Sequence, residues 1–289
     1  MTLPDGIDGA RVGEVAGLDA LIVETVHASA AISLFGGQLI SFRPTGYGTD
    51  LLWLSPQLAA PPTPLRGGVP VCWPYFAREG QPDDVPSHGY ARTARWEPIG
   101  GGNTADGTEI VLAPVGLDDL DLRLRMTVHI GATLHQEIHT HNPGTVPLTL
   151  TEALHNYFRV SDVTAVRVQG LDSLAYLDKF DASSRHVQHG DWVLPEEPAR
   201  SDRVYPNAPG HYRIVDPGLE RVIEVSVHDG STAVVWNPGP EVAAGMADVG
   251  PSWREFVCVE AANAGPDVVE VSPGGTHTLG QTISVTGLR

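Results

Sequence analysis

Arg66, His88 and Arg92 fall within 27 residues of one another, in the segments Leu65-Arg66-Gly67-Gly68-Val69-Pro70-Val71-Cys72-Trp73-Pro74-Tyr75-Phe76 and His88-Gly89-Tyr90-Ala91-Arg92. Guanidinium forks grip phosphate in a bidentate manner, and Trp73, Tyr75 and Phe76 offer flat apolar faces, so the combination suits an anionic sugar. The chain as a whole carries a formal charge of −17. Its overall field therefore repels anions, and arginines that bind one must be focused locally. The competing reading is structural: both segments are loops whose arginines cap or pair with the chain itself.

Three further clusters could carry chemistry. In Thr151-Glu152-Ala153-Leu154-His155-Asn156-Tyr157-Phe158, His155 stands between an apolar strand and an aromatic pair; the default for such a histidine is a hydrogen-bonded structural role. Asp202, in Ser201-Asp202-Arg203-Val204-Tyr205, reads as a solvated loop carboxylate after Glu196-Glu197-Pro198. In Val257-Cys258-Val259-Glu260-Ala261-Ala262-Asn263 an apolar strand ends in a glutamate. Isolated carboxylates are costly to bury, and a Glu in that setting can be raised in pKa and serve as an acid or base.

A metal reading competes. His139-Thr140-His141 places two imidazoles on one strand face, with His135 of the same parity. Glu137 shares that face, and Glu152 lies beyond the Asn142-Pro143-Gly144 turn, so a solvent-facing polar strand is the expectation and no metal site is assigned. The chain lacks HExxH, CxxC, P-loop, GxGxxG and GxSxG motifs, which removes the main support for metalloprotease, nucleotide-triphosphatase, dinucleotide-dehydrogenase and α/β-hydrolase readings.

The elements that must position these residues read as strands. Gly 32 and Pro 24 are scattered along the chain's 289 residues between short apolar runs, a pattern of many strands and tight turns. Ala31–Phe35 and Gln38–Phe42 flank Gly36-Gly37, Leu120–Val128 alternates apolar and polar residues, and Thr133–His141 continues as its partner. Ala165–Val168, Val222–Val227, Ala233–Trp236, Phe256–Glu260, Val268–Val271 and Thr282–Val285 are similar runs. One short helical turn is expected around Val242–Ala247, interrupted by Gly245. With neither linker nor repeat visible, a single antiparallel β-domain over residues 1–289 is expected.

Acidic residues outnumber basic ones 35 to 18, so nucleic acid and anionic membranes are poor partners. Met1–Ala20 holds Asp5, Asp8, Glu14 and Asp19 without an apolar core, so no secretory leader is expected, and no apolar stretch reaches the length of a membrane span. Cys72 and Cys258 sit in apolar contexts and read as buried packing in a reduced, cytoplasmic setting.

Taken together and in order, these segments resemble the hexose-6-phosphate mutarotases (glucose-6-phosphate 1-epimerases) of the aldose 1-epimerase superfamily. The matching pieces span nearly the whole chain: Gly36-Gly37-Gln38, Leu65–Phe76, His88–Arg92 with Trp96, Ala153–Phe158, Gly170-Leu171, Tyr176–Lys179, Asp202–Tyr205, Val234–Pro238, Met246-Ala247-Asp248 and Val257–Asn263. RGGVPVCWP and VCVEAAN are the most specific. The resemblance implies a large antiparallel β-sandwich of the galactose-mutarotase type with few short helices. It implies that Glu260 is the catalytic base, His155 the general acid, His88 and Asp202 sugar ligands, and Arg66 and Arg92 the phosphate ligands. Ser87, where the family often has Gln, and Ala261-Ala262, where it usually has Pro-Gly, depart from the pattern.

The implied reaction interconverts the α and β anomers of a hexose 6-phosphate. A proton leaves the C1 hydroxyl as one reaches the ring oxygen, the ring opens, C1–C2 rotates and the ring recloses. One carboxylate and one imidazole suffice, so no cofactor is expected, and the partner is a small phosphorylated sugar bound by a monomer. A carboxylate base and an imidazolium acid imply a bell-shaped pH profile that falls in mild acid. Three alternatives remain at this point: an aldose 1-epimerase acting on a free sugar, a non-catalytic carbohydrate-binding protein and, least favoured, a metal-dependent β-barrel enzyme centred on His139 and His141.

Overall fold

The computed structural model describes Ile7 and residues 9–288; the part of the leader reading that falls on residues 1–6 and 8 lies outside them. Strands dominate. A first meander comprises β1 (Ala10–Val15), β2 (Leu18–Glu24), β3 (Ala28–Ser33) and β4 (Leu39–Pro44). Next come β5 (Val71–Cys72), β6 (Arg95–Asn103), β7 (Gly107–Val115), β8 (Arg123–Gly131) and β9 (Leu134–His141). The middle of the chain adds β10 (Leu148–Leu150), β11 (Glu152–Leu154), β12 (Tyr157–Arg159), β13 (Arg167–Gln169), β14 (Ala175–Asp178) and β15 (Ser184–Val187). The last group is β16 (Ser201–Pro206), β17 (His211–Asp216), β18 (Arg221–His228), β19 (Thr232–Asn237), β20 (Phe256–Asn263), β21 (Val269–Val271) and β22 (Thr276–Gly287). Among the described residues helix is confined to the five-residue α1 (Gly239–Ala243) and to short 3-10 turns at Ala91–Thr93, Lys179–Asp181 and Gly250–Glu255.

Two large antiparallel sheets carry the fold. One runs β13-β17-β18-β22-β9-β8-β7-β6; the other runs β15-β14-β16-β19-β20-β11-β5, with β12 also paired to β20. Ile110, Met126, Val128, Ile138, Ile214, Ile223 and Ile283 of the first sheet join Val235, Val257, Val259 and Ala261 of the second in one core. This is the expected β-sandwich. Because side chains alternate across a strand, the positions between those core residues on β19 and β20 look away from the first sheet, and that outer face carries the site.

A buried amide ladder ties the sheets together. Asn156 donates to the Val259 carbonyl and exchanges two hydrogen bonds with Gln281 of β22, at 2.7 and 2.8 Å. Gln281 donates onward to Gln136 of β9. None of the three is more than 1% exposed. Buried amides are tolerated because they satisfy one another.

Two loops need glycine for close approach. Gly67 and Gly68 have φ of 104° and 61°, and a Cβ would run into the Trp53 and Leu39 carbonyls. Gly89, at φ 72°, passes against the Trp73 carbonyl, and His88 before it is itself left-handed at 64°. The loops carrying Arg66 and His88 are thereby pressed onto the sheet edge.

Candidate active site

The register of β16, β19 and β20 builds the site. Asp202 lies opposite Trp236 and Trp236 opposite Cys258, while Val204, Val234 and Glu260 form the next rung on the same face. Cys72, Phe76, Ala153, Val204, Val234, Ala262 and Ala264 make an apolar floor. Glu260 rises from it at 1% exposure. It does not end its strand, as the sequence suggested: β20 continues to Asn263, because Ala261 and Ala262 are themselves buried and paired to β19 and β11. Burial pushes the Glu260 carboxyl well above the usual carboxylate range, and the charge of Asp202 adds to this.

His155 occupies the turn between β11 and β12, its backbone N–H donating to the Pro70 carbonyl. Its ring stacks on Tyr157 at 4.9 Å and 7° and stands 5.7 Å from the His88 ring. Nε2 lies 3.5 Å from Glu260 Oε1, and the other polar atoms of both groups, Nδ1 and Oε2, are buried without a hydrogen-bond partner. Burial drives the imidazole pKa well below its ordinary value, and the charges of Arg66 and Arg92 add to this. Both shifts run toward the uncharged forms, a neutral imidazole beside a neutral carboxyl. These directions oppose the carboxylate–imidazolium form expected from sequence, because burial penalises both charges.

The other sequence-marked residues converge on the same place. Burial and the arginines hold His88 down to about 3, so it is neutral. Its Nδ1 accepts from the Ala77 N–H at 3.3 Å, leaving Nε2 as the donor. Asp202 is no solvated loop carboxylate. It sits partly buried on β16, where desolvation pushes it up to about 6 against the pull of Lys179. Arg92 donates to the Ser87 carbonyl at 2.7 Å while its Nε is buried and unpartnered. Arg66 donates through Nε to Asp248 at 2.9 Å and through Nη1 to the Tyr157 hydroxyl at 3.0 Å. The structural reading of these arginines thus holds for one edge of each.

Asp248 and Tyr157 were not singled out by sequence reasoning. Tyr157 carried a signal, since position i+2 from His155 along a strand shares its face. Asp248 lay in the matching Met246-Ala247-Asp248 piece, but nothing there pointed to Arg66, 182 residues away. Both cysteines are buried and free, as their contexts suggested.

His135, His139 and His141 lie on the outer face of β9. His139 hydrogen-bonds the Thr127 and Thr278 hydroxyls, His141 donates to the Gly275 carbonyl, and His135 meets Thr282. Among the described residues no three His, Cys, Asp or Glu side chains are grouped to hold a metal ion. His139→Ala and His141→Ala are expected to leave the anomer-exchange rate within about threefold, as for surface strand positions. A loss of activity in either that a divalent ion restores would return these histidines to the mechanism.

Comparison with known proteins points one way. A family described as Aldose 1-epimerase matches residues 21–284. A protein of Escherichia coli (strain K12) named "Putative glucose-6-phosphate 1-epimerase" is 32% identical over 282 residues, covering 93% of this chain and 90% of its own. Its Salmonella typhimurium counterpart of the same name is 33% identical over 284 residues, with the same coverage of both chains. The crystal structure of a mutarotase described as putative (YeaD) from Salmonella typhimurium superposes with a TM-score of 0.86 at 30% identity, covering 96% of this chain and 94% of that one. Among the described residues no helix is long and apolar enough to cross a membrane.

Proposed function

From its membership of the aldose 1-epimerase family, which makes the chain a mutarotase of sugars, we propose that it acts as a single domain on a hexose 6-phosphate, with glucose 6-phosphate as the substrate. The observation that carries this reading is the His155–Glu260 pair, 3.5 Å apart on an apolar floor, with two arginines at its rim. With the one proton the pair shares carried on His155, Glu260 takes the C1 hydroxyl proton, His155 protonates the ring oxygen as the C1–O5 bond breaks, and reclosure returns both protons. His88, through Nε2–H, and Asp202 bind sugar hydroxyls; Arg66 and Arg92 take the phosphate. An aldose 1-epimerase of free sugars is the second reading, favoured by the ion pair that already engages Arg66 with Asp248. Anomer-exchange NMR on glucose 6-phosphate and glucose side by side separates the two. The proposal expects the phosphorylated sugar to exchange faster by kcat/KM, and equal values would favour the free-sugar reading.

The protonation states give a pH prediction. Ring opening requires the pair to carry one proton in total, because one group accepts while the other donates. That count holds between the depressed imidazole pKa and the raised carboxyl pKa. The acid limb therefore reports a second proton entering on His155, and the alkaline limb reports loss of the proton held by Glu260; both values belong to the pair. Corrected for the phosphate's own ionisation near about 6, and measured in an Asp202→Asn background because that carboxyl is itself pushed up to about 6, kcat/KM should stay flat through mild acid, where the sequence reading placed a fall. A midpoint near the ordinary imidazole value of about 6.5 would count against this assignment.

A further inference from the structure

Tyr157 joins two parts of the site that otherwise do different work. Its ring lies flat on the His155 imidazole at 4.9 Å, and its hydroxyl accepts from Arg66 Nη1 at 3.0 Å. Arg66 is thus one aromatic ring away from the imidazole. Arg92 acts on His155 from the Ala91–Thr93 turn, and each guanidinium also acts on His88 and on the other. With His88 neutral, the two arginines are the standing positive charges around the imidazole.

The opposing groups are few. Asp248 pairs with Arg66 alone. On the sheet side stand Glu260 and, beyond it, Asp202, whose charge acts on Glu260. The Cys72 and Cys258 thiols and the Tyr157 phenol are held protonated by burial.

We propose that the Arg66/Arg92 subsite is an activating site as well as a binding one: a dianion held there switches on the His155–Glu260 pair through Tyr157, so that inorganic phosphite accelerates turnover of a sugar lacking a phosphate. The inference rests on the reading of these arginines as the phosphate ligands. Its physical basis is the charge balance. Two negative charges at the guanidinium groups cancel the field that opposes an imidazolium. One proton then passes from Glu260 Oε1 to His155 Nε2, leaving a carboxylate to accept from the C1 hydroxyl and an imidazolium to donate to the ring oxygen. No proton is gained or lost.

The test is anomer exchange of glucose with sodium phosphite added at constant ionic strength, sodium chloride serving as the control. Acceleration that saturates at about tenfold or more, the population change brought by one unit of pKa, is expected. Tyr157→Phe should lower that acceleration while holding the phosphite dissociation constant within about threefold, since both arginines remain. Should that variant fold poorly, the His155 imidazole resonances of the unaltered protein, identified by their loss in His155→Asn, decide. Phosphite should move them toward imidazolium at fixed pH. Competitive inhibition by phosphite, or no acceleration with the resonances unmoved, overturns the inference. Failure of the functional reading looks different, since glucose 6-phosphate would then show no advantage over glucose whatever phosphite does.

Discussion

Glu260→Gln is expected to lower the anomer-exchange rate by at least about two orders of magnitude, the usual loss for an acid–base group, and to leave a folded protein whose stability advantage grows with pH. The rate follows from removing the group proposed to accept the C1 proton. The stability follows from linkage. The folded carboxyl has its pKa raised well above the unfolded value, so at pH above the ordinary carboxylate value of about 4.3 the unfolded chain has released a proton the folded chain retains. Stability of the unaltered protein therefore declines as pH rises from that value toward the folded pKa, and glutamine removes the decline. Asp202, up to about 6, contributes the same slope to both proteins and cancels. His155→Asn should reduce exchange by a similar factor. Exchange NMR, circular dichroism and thermal melts at two pH values check all of this. Near-wild-type exchange in a folded variant of either residue would remove the mechanism.

Arg66→Ala or Arg92→Ala should raise KM for the phosphorylated sugar about ten- to a hundredfold, because a charge-assisted hydrogen bond is worth roughly 1.5–3 kcal/mol, while KM for the free sugar moves little. The two variants differ in what they expose. Arg92→Ala frees only the Ser87 carbonyl, whereas Arg66→Ala strands Asp248 and the Tyr157 hydroxyl. Arg66→Ala should therefore also lose thermal stability, and adding Asp248→Asn should recover part of it without restoring KM. Equal losses on both sugars would show that the arginines shape the pocket and do not read the phosphate.

The fold was legible wherever one strand face is buried and the other wet. Thr133–His141 became β9 almost residue for residue, and Leu120–Val128 became β8 once Leu120–Leu122 turned, with Arg123 donating to the Leu120 and Leu122 carbonyls. Strand β6 was illegible because Gly100, Gly101 and Gly102 have no side chains to alternate; as an edge strand it needs only its backbone and tolerates the register shift at Pro98. Asp202 was misread because its neighbours Glu196, Glu197 and Arg203 are those of a loop, and only pairing to β14 and β19 buries it. The positions of Arg66, His88, Arg92, His155 and Glu260 about one pocket came from resemblance. Their protonation states could not, since those are set by a floor assembled from β5, β11, β16, β19 and β20.

The amide ladder has a bearing on how the protein comes to life. The residue beside the imidazole is anchored to one 125 positions downstream, and that one in turn to a partner 145 positions upstream. Contacts of such separation form late, after the entropy of closing long loops has been met. The amide next to His155 therefore gains its Gln281 partner only once β22 is seated between β18 and β9, which couples the setting of the site to the pairing of strands far apart in the chain.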